Sequence, residues 1–160
     1  MVAAFDGGTM TSDAGGVLLG ARDRAIGPID RFAACFGDRR GREPIEDKVA
    51  TLVAQRVFAM ALGDENLNDH DELRHDPAMA ILAGKLRARR KDGAAVAGKS
   101  TLNRLEPSRP EASRYHQIGH DGAAVERLLV DLFPEAHAQA PDEIVLDLDA
   151  TGPGLDPGSP

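Results

Sequence analysis

The chain has 160 residues, of which 42% are hydrophobic, so it can form a core and is not wholly disordered; its single cysteine, Cys35, excludes an internal disulfide and is expected to be buried. No apolar run approaches the ~20 residues that cross a bilayer, and residues 1–5 lack the features of a signal peptide, which predicts a soluble, cytoplasmic protein with no membrane partner. The net charge of −7 excludes a surface that is basic throughout, so any contact with nucleic acid has to be local.

The first part of the chain carries the signals of two short helices. Candidate N-caps at Thr11–Asp13 precede the first helix, and Gly27-Pro28 ends it. Pro28 begins the second helix and Gly37 closes it, because proline suits a first helical turn and glycine a helix end. Residues 37–44 are predicted to be a polar loop, and residues 1–12 an extended lead-in.

The middle of the chain has the strongest periodicity. From Ile45 to Leu62, apolar residues recur every three or four positions, which predicts an amphipathic helix that ends at Gly63. Asn68 or Asp69 is expected to cap a further short helix that runs through Leu73.

Two more helices are predicted on either side of a loop. The first begins at Asp76-Pro77 and continues to about Arg90. Residues 92–98 are interpreted as a flexible loop, because they are almost entirely glycine and alanine. Ser100 is then expected to cap a short helix that ends at Glu106.

The carboxy-terminal part changes from helix to strand. Asp121 begins a last helix that ends near Pro134, so residues 13–136 contain five to seven helices. In residues 143–149, Ile144, Leu146 and Leu148 instead recur at every second position and give one fully apolar face, and this period of two predicts a strand that we place at residues 143–151. Residues 152–160 hold three glycines and three prolines and are expected to be disordered. The predicted fold class is mainly α, with a single strand after the helical region.

Basic residues are concentrated between Lys85 and Arg114, where nine of them face three acids. A local cationic surface on an acidic protein can bind phosphates. The alternative is a solvated helix end and loop, followed by a helix that only packs through Leu102 and Leu105. The candidate DNA-binding residues are Lys85, Arg87, Arg89, Arg90, Lys91, Lys99, Ser100, Thr101, Asn103 and Arg104.

Two other patterns do not predict a site. Gly93–Ser100 matches the phosphate-binding loop pattern, but the charged stretch Lys85–Asp92 does not fit the buried strand that must precede such a loop, so nucleotide binding is not predicted. Four histidines are interpreted as surface or capping side chains rather than as zinc ligands: His70, His75, His116 and His120.

Two carboxylates lie on the predicted strand. Asp147 and Asp149, next to Thr151, are suited to hard divalent cations such as Mg²⁺, and paired cations support phosphodiester chemistry. Residues two apart on a strand are separated by roughly 6.6 Å, so one of the two is expected to be the ligand. The alternative is a strand-end aspartate that caps the next turn.

A series of short blocks follows one order along the chain: Phe5–Gly8, Thr11–Gly15, Gln55–Ala59, Leu67–Asp71, Leu73-Arg74, Asp76-Pro77, Ser100–Glu106 and Val145–Thr151. Together these blocks resemble the amino-terminal part of bacterial DDE insertion-sequence transposases. The resemblance covers about residues 5–151, and it is the combination of blocks, not any single block, that is specific.

The resemblance implies a helical region followed by a ribonuclease-H-like catalytic core. It implies that Asp149, in an Asp-x-Thr context, is the first catalytic acid and a ligand of Mg²⁺ or Mn²⁺, with Asp147 in reserve. It also implies metal-dependent cleavage and transfer of DNA strands at transposon ends. DNA is then the expected partner, and a homodimer through the helical region is considered.

The sequence departs from the family pattern after Thr151. The second aspartate and the glutamate of the catalytic triad have no counterpart in residues 152–160. We therefore expect a truncated or frameshifted transposase that does not catalyse transposition. The alternative is a non-catalytic DNA-binding or interfering module that still recognises transposon ends.

Overall fold

The computed structural model describes residues 11–41, 45–85, 95–111, 113, 115–137, 139 and 141–145. Within these residues the chain is mainly α-helical, as the sequence predicts, with one small two-stranded sheet. In chain order the elements are α1 (Gly16–Ile26), α2 (Pro28–Ala33), β1 (Phe36–Asp38), α3 (Val49–Leu62), a 3-10 turn (Leu67–Asp69), α4 (His70–Leu73), α5 (Pro77–Leu82), α6 (Lys99–Leu105), β2 (Ile118–His120) and α7 (Gly122–Glu135).

The α3 helix forms the centre of the core. Its side chains at Leu52, Val53, Phe58 and Ala59 are almost completely buried among α2, α5 and α6. The helix ends at Gly63, as predicted, because this residue takes a φ of 102° that side-chain-bearing residues rarely adopt. The helix begins at Val49, one turn after Ile45, where its apolar pattern starts.

The α1 helix packs closely on α5 through two glycines. Gly16 and Gly20 are buried, and a Cβ atom on Gly20 would lie 2.7 Å from Cδ2 of Leu82. The helix ends at Gly27, as predicted, and the predicted helix at Pro28 follows directly. The capping prediction at Thr11–Asp13 is wrong, because the helix begins after Gly15 without a side-chain cap.

The small sheet was not predicted. β1 and β2 pair antiparallel, with Phe36 opposite His120 and Asp38 opposite Ile118. The prediction that residues 37–44 form a loop is therefore wrong at its start. Each strand has only three residues, which is too short to show a period of two, and the pairing joins distant parts of the chain. The neighbouring Cys35 is buried, as expected.

The region between α5 and α6 also differs from expectation. Asp76 caps α5, as predicted, but the helix ends at Leu82 rather than near Arg90, and Gly84 has a φ of 74°. Residues 95–98 are not a flexible loop, because Val96 and Ala97 are buried in the core. A segment of small apolar residues has the composition of a loop. The same residues also suit an extended segment that packs between helices.

The carboxy-terminal helix is as predicted. Asp121 accepts a hydrogen bond from the backbone N–H of Ala124 at 3.1 Å, and Pro134 lies in the last turn of α7. Residues 143–145 are neither helix nor strand, and the rest of the predicted strand lies outside the described residues, so that strand stays a prediction. In the described segments, no helix has the length and hydrophobicity required to cross a membrane.

Candidate nucleic-acid interface

The α6 helix has one buried and one exposed side. Leu102 and Leu105 are 1% and 5% exposed and pack in the core. The side chains of the opposite side are exposed, and because residues four apart on a helix are neighbours they form one surface. We call this surface the α6 face: Lys99, Ser100, Asn103 and Arg104. The packing interpretation of this helix is therefore confirmed for one side, and contact of its exposed side with DNA stays a prediction.

The α6 face continues onto the small sheet. The guanidinium carbon of Arg104 lies 5.9 Å from the ring centroid of Tyr115, which is a cation–π distance. Tyr115 is 65% exposed, so its ring is accessible. A cavity of about 250 Å³ lies beside this pair, lined by Arg40, Thr101, Arg104, Tyr115, Gln117 and Ile118.

Arg40 is held in place by its neighbour on β1. It donates three hydrogen bonds to the carboxylate of Asp38, from its backbone N–H, its Nε and its Nη2, at 3.0, 2.9 and 2.7 Å. The bond from the Arg40 side chain is the main reason why the pKa of Asp38 is lowered. Sequence reasoning missed Arg40, Tyr115 and Gln117 as site residues, because only the unpredicted sheet brings them to α6.

The start of α6 is fixed from α4. The backbone N–H of Lys99 donates to Oδ1 of Asp71 at 3.1 Å, and the Lys99 ammonium lies 3.3 Å from Oδ2 of the same carboxylate. The backbone bond is the main reason why the pKa of Asp71 is lowered. The prediction that Ser100 caps the helix is wrong, because Gly98 is the N-cap and makes no side-chain cap.

Lys85 does not belong to this surface. Its ammonium forms an ion pair with Asp47 and donates to the carbonyl of Ala95 at 3.0 Å. The Lys85 and Asp47 side chains are only 13% and 8% exposed. This position gives Lys85 a structural role. Four other predicted DNA-binding residues lie outside the described residues: Arg87, Arg89, Arg90 and Lys91.

The described part of the phosphate-loop pattern is already engaged within the fold. The backbone N–H of Val96 donates to the carbonyl of Arg74 at 3.0 Å, and the N–H of Ala97 donates to Oε1 of Gln55 at 3.0 Å. A phosphate-binding loop must offer such N–H groups to its ligand. These two N–H groups are therefore not available to a phosphate.

A buried polar cluster joins α3, α4 and the segment before α6. Gln55 and His70 are both 0% exposed, and Nε2 of Gln55 lies 3.1 Å from Nδ1 of His70. The interpretation of His70 as a surface or capping residue is therefore wrong. Its imidazole faces inward because α4 is a single turn packed on α3. Burial is the main reason why the pKa of His70 is lowered, and the positive charge of Arg56 adds to the effect.

The sequence model of the family described as Transposase DDE domain group 1 matches residues 1–153. The chain belongs to this family. The resemblance to DDE transposases is thereby confirmed. Comparisons with curated proteins and with solved structures gave no match.

DDE transposases use divalent cations, and the residues expected to hold one here, Asp147 and Asp149, lie outside the described residues. In the described parts of this transposase chain, no three His, Cys, Asp or Glu side chains are grouped so that they can hold a metal ion. His120 is instead hydrogen-bonded to Ser108 at 3.0 Å, and His116 is half-buried.

Proposed function

We propose that residues 13–136 form the DNA-binding amino-terminal region of a DDE transposase, and that the α6 face with Arg40, Tyr115 and Gln117 contacts transposon ends. The observation that carries this proposal is the exposed pair of Arg104 and Tyr115 beside a second arginine. The lining of the adjacent cavity includes two arginines, of which Arg40 is held by Asp38 and Arg104 lies beside Tyr115.

The chemistry of these side chains suits DNA. Lys99, Arg40 and Arg104 offer charged donors to phosphates, and the hydroxyl of Ser100 adds a neutral one. Asn103 can donate to and accept from a base edge, as asparagine does with adenine. The exposed ring of Tyr115 offers an apolar surface to a sugar or a base. A bacterial transposase meets its DNA in the cytoplasm, the compartment that we propose for this chain.

The test is a titration of terminal-repeat DNA and of scrambled DNA at several salt concentrations. We expect Arg104→Ala to weaken binding roughly tenfold and to reduce the salt dependence by about one phosphate contact. Asn103→Ala should weaken binding to the terminal repeat more than binding to scrambled DNA. A matched control is Arg127→Ala, an exposed arginine on α7, which should have no effect. Equal losses from Arg104→Ala and Arg127→Ala would refute the interface.

The catalytic role belongs to Asp149 in our proposal, with Asp147 in reserve, as a ligand of Mg²⁺ or Mn²⁺. The family resemblance supports this role, because Asp149-Ala150-Thr151 matches the Asp-x-Thr context. We propose that residues 143–151 are the first strand of the catalytic core and that the parent activity is strand cleavage and transfer.

The purified 160-residue chain is expected to give no Mg²⁺-dependent nicking of transposon-end DNA, because two-metal chemistry needs more than one carboxylate ligand. The assay compares the chain with its Asp149→Ala variant on supercoiled substrate. Metal-dependent nicking that this substitution abolishes would contradict the expectation. Binding without nicking would favour the alternative function, a non-catalytic module that occupies transposon ends and interferes with the active enzyme.

We further propose that the chain self-associates through an apolar groove of about 400 Å³ between α1, α2, α3 and α7. Leu19 and Leu129, which line the groove, are 41% and 65% exposed. The apolar lining supports a second copy as the occupant. On the α7 side the groove is lined by Val125, Leu128, Leu129 and Leu132, and an exposed apolar surface of this kind is typical of an interface between copies of one chain.

A further inference from the structure

The segment that leads into α6 is held by hydrogen bonds along its length. The carbonyl of Ala95 accepts from Lys85, and the N–H of Val96 donates to the carbonyl of Arg74. Both backbone groups of Ala97 are bonded to Gln55, at 3.0 Å for the N–H and 2.7 Å for the carbonyl. The position of α6 therefore depends on side chains that lie outside α6.

Gln55 acts on Ala97 as a neighbouring strand would. Its carboxamide accepts the N–H of Ala97 through Oε1 and donates to the carbonyl through Nε2. These two bonds fix the orientation of the amide, because rotating it by 180° would place donor against donor and acceptor against acceptor. The amide is completely buried, so water cannot replace either bond.

The orientation of Gln55 sets the protonation state that His70 must have. Nε2 of Gln55 faces Nδ1 of His70 at 3.1 Å and has a hydrogen to donate, so Nδ1 must be the acceptor. Only the neutral imidazole with its hydrogen on Nε2 meets this requirement. A protonated imidazole would carry a hydrogen on Nδ1 and would face the Gln55 amide donor to donor.

We propose that Gln55 is a positioning residue for the α6 face, and that protonation of His70 weakens its hold on Ala97 and so releases the DNA-binding surface. This inference rests on the proposed function. Protonation leaves the amide two outcomes: it loses its partner at His70, or it rotates and loses both bonds to Ala97. The second outcome releases the segment before α6 from α3, and the first removes the contact with His70 that holds the amide of Gln55 in its orientation.

The charges around His70 oppose one another. Arg56 on α3 disfavours protonation, whereas Asp69, Asp71 and Glu106 favour it from the 3-10 turn, α4 and the end of α6. Burial outweighs these charges and lowers the pKa of His70. The unfolded chain therefore binds this proton at a higher pH than the folded chain does, and stability decreases as the pH falls below about 6.5 toward the folded pKa.

The decisive variant is His70→Asn, because the asparagine side chain offers an acceptor oxygen near the place of Nδ1 and does not titrate. DNA affinity is measured from pH 7.5 to pH 5 at constant salt, together with the folded fraction by circular dichroism. We expect the affinity of the folded wild-type chain to fall roughly tenfold over this range, and that of His70→Asn to change much less. The matched control His75→Asn, at an exposed histidine, should behave as the wild type does.

A second measurement reports on the bonds between Gln55 and Ala97 independently of DNA binding. Amide hydrogen exchange at Ala97, expressed as a protection factor, is expected to fall on acidification in the wild type and to stay high in His70→Asn. Equal pH responses in these two proteins would overturn the inference. Protection that follows His70, with no DNA binding at any pH, would instead overturn the proposed function and leave the inference about Gln55 standing.

The positioning role itself is tested with Gln55→Met, which keeps the length of the side chain and removes both bonds to Ala97. We expect a smaller salt dependence of DNA binding, because phosphate contacts from the displaced α6 face are lost. Met79→Ala, in the core on α5, is the control for stability alone. It should lower the folded fraction without changing the salt dependence, and the same slope in both variants would contradict a positioning role.

Discussion

Two lysines of the basic segment differ in what surrounds them. Lys85 is paired with the buried Asp47, whereas Lys99 is half-exposed beside Asp71. Their spacing in the sequence gives no indication of this difference, because it depends on whether the fold covers the ammonium group. Lys99 was predictable as a surface cation, since it begins an amphipathic helix. The role of Lys85 was not predictable, because its partner, Asp47, lies before α3 and is far from Lys85 in the sequence.

We expect Lys85→Met to lower the free energy of unfolding by about 3 kcal/mol, because it leaves the Asp47 carboxylate buried without its cation. DNA affinity of the folded protein should not change. Lys99→Met should do the reverse, with less than about 1 kcal/mol lost from stability and weaker DNA binding. Chemical denaturation and the DNA titration on both variants test this difference between the two lysines. A loss of DNA affinity in folded Lys85→Met would show that Lys85 belongs to the DNA interface after all.

At the scale of elements, helix ends were more predictable than connections. Gly27, Gly63 and Asp121 mark the ends where the sequence predicts them, because a positive φ or a side-chain cap is a local requirement. The start of α3 is displaced by a turn, because Ile45 continues the apolar pattern without belonging to the helix. Local pattern alone does not distinguish an apolar residue in a helix from one just before it.

The segment at residues 95–98 shows a second limit of sequence reasoning. Its composition is that of a loop, and only its partners make it part of the core. Gln55 lies on α3 and His70 on α4, yet both side chains are needed to fix this segment. Half of the candidate site, the α6 face, was therefore predictable, whereas the residues that position it were not.

At the scale of the whole molecule, the acidic net charge and the local basic surface have separate consequences. Because the net charge is −7, the chain as a whole repels DNA at long range, and the proposed binding has to come from contacts at short range. The groove between α1 and α7, in contrast, is lined mostly by apolar side chains. This arrangement suits association with another copy better than association with DNA.

We expect the chain to dimerise through this groove with a dissociation constant of about micromolar order. Sedimentation velocity over a wide concentration range tests this, and Leu129→Asp should give a monomer because it places a charge in an apolar contact. Ile45→Asp, an exposed apolar residue outside the groove, is the control. A monomer at every concentration would contradict the dimer. Association that is seen only after residues 138–160 are removed would contradict it as well.

The pairing of β1 with β2 also bears on the order in which the protein folds. Phe36 and His120 are neighbours in the sheet but are separated by most of the chain, so their contact closes a long loop and carries a large entropic cost. The helices form from local contacts and are expected to precede it. Arg40 and Tyr115 reach Arg104 only when this loop has closed. A chain still emerging from the ribosome would therefore carry a folded α6 without a finished DNA-binding surface.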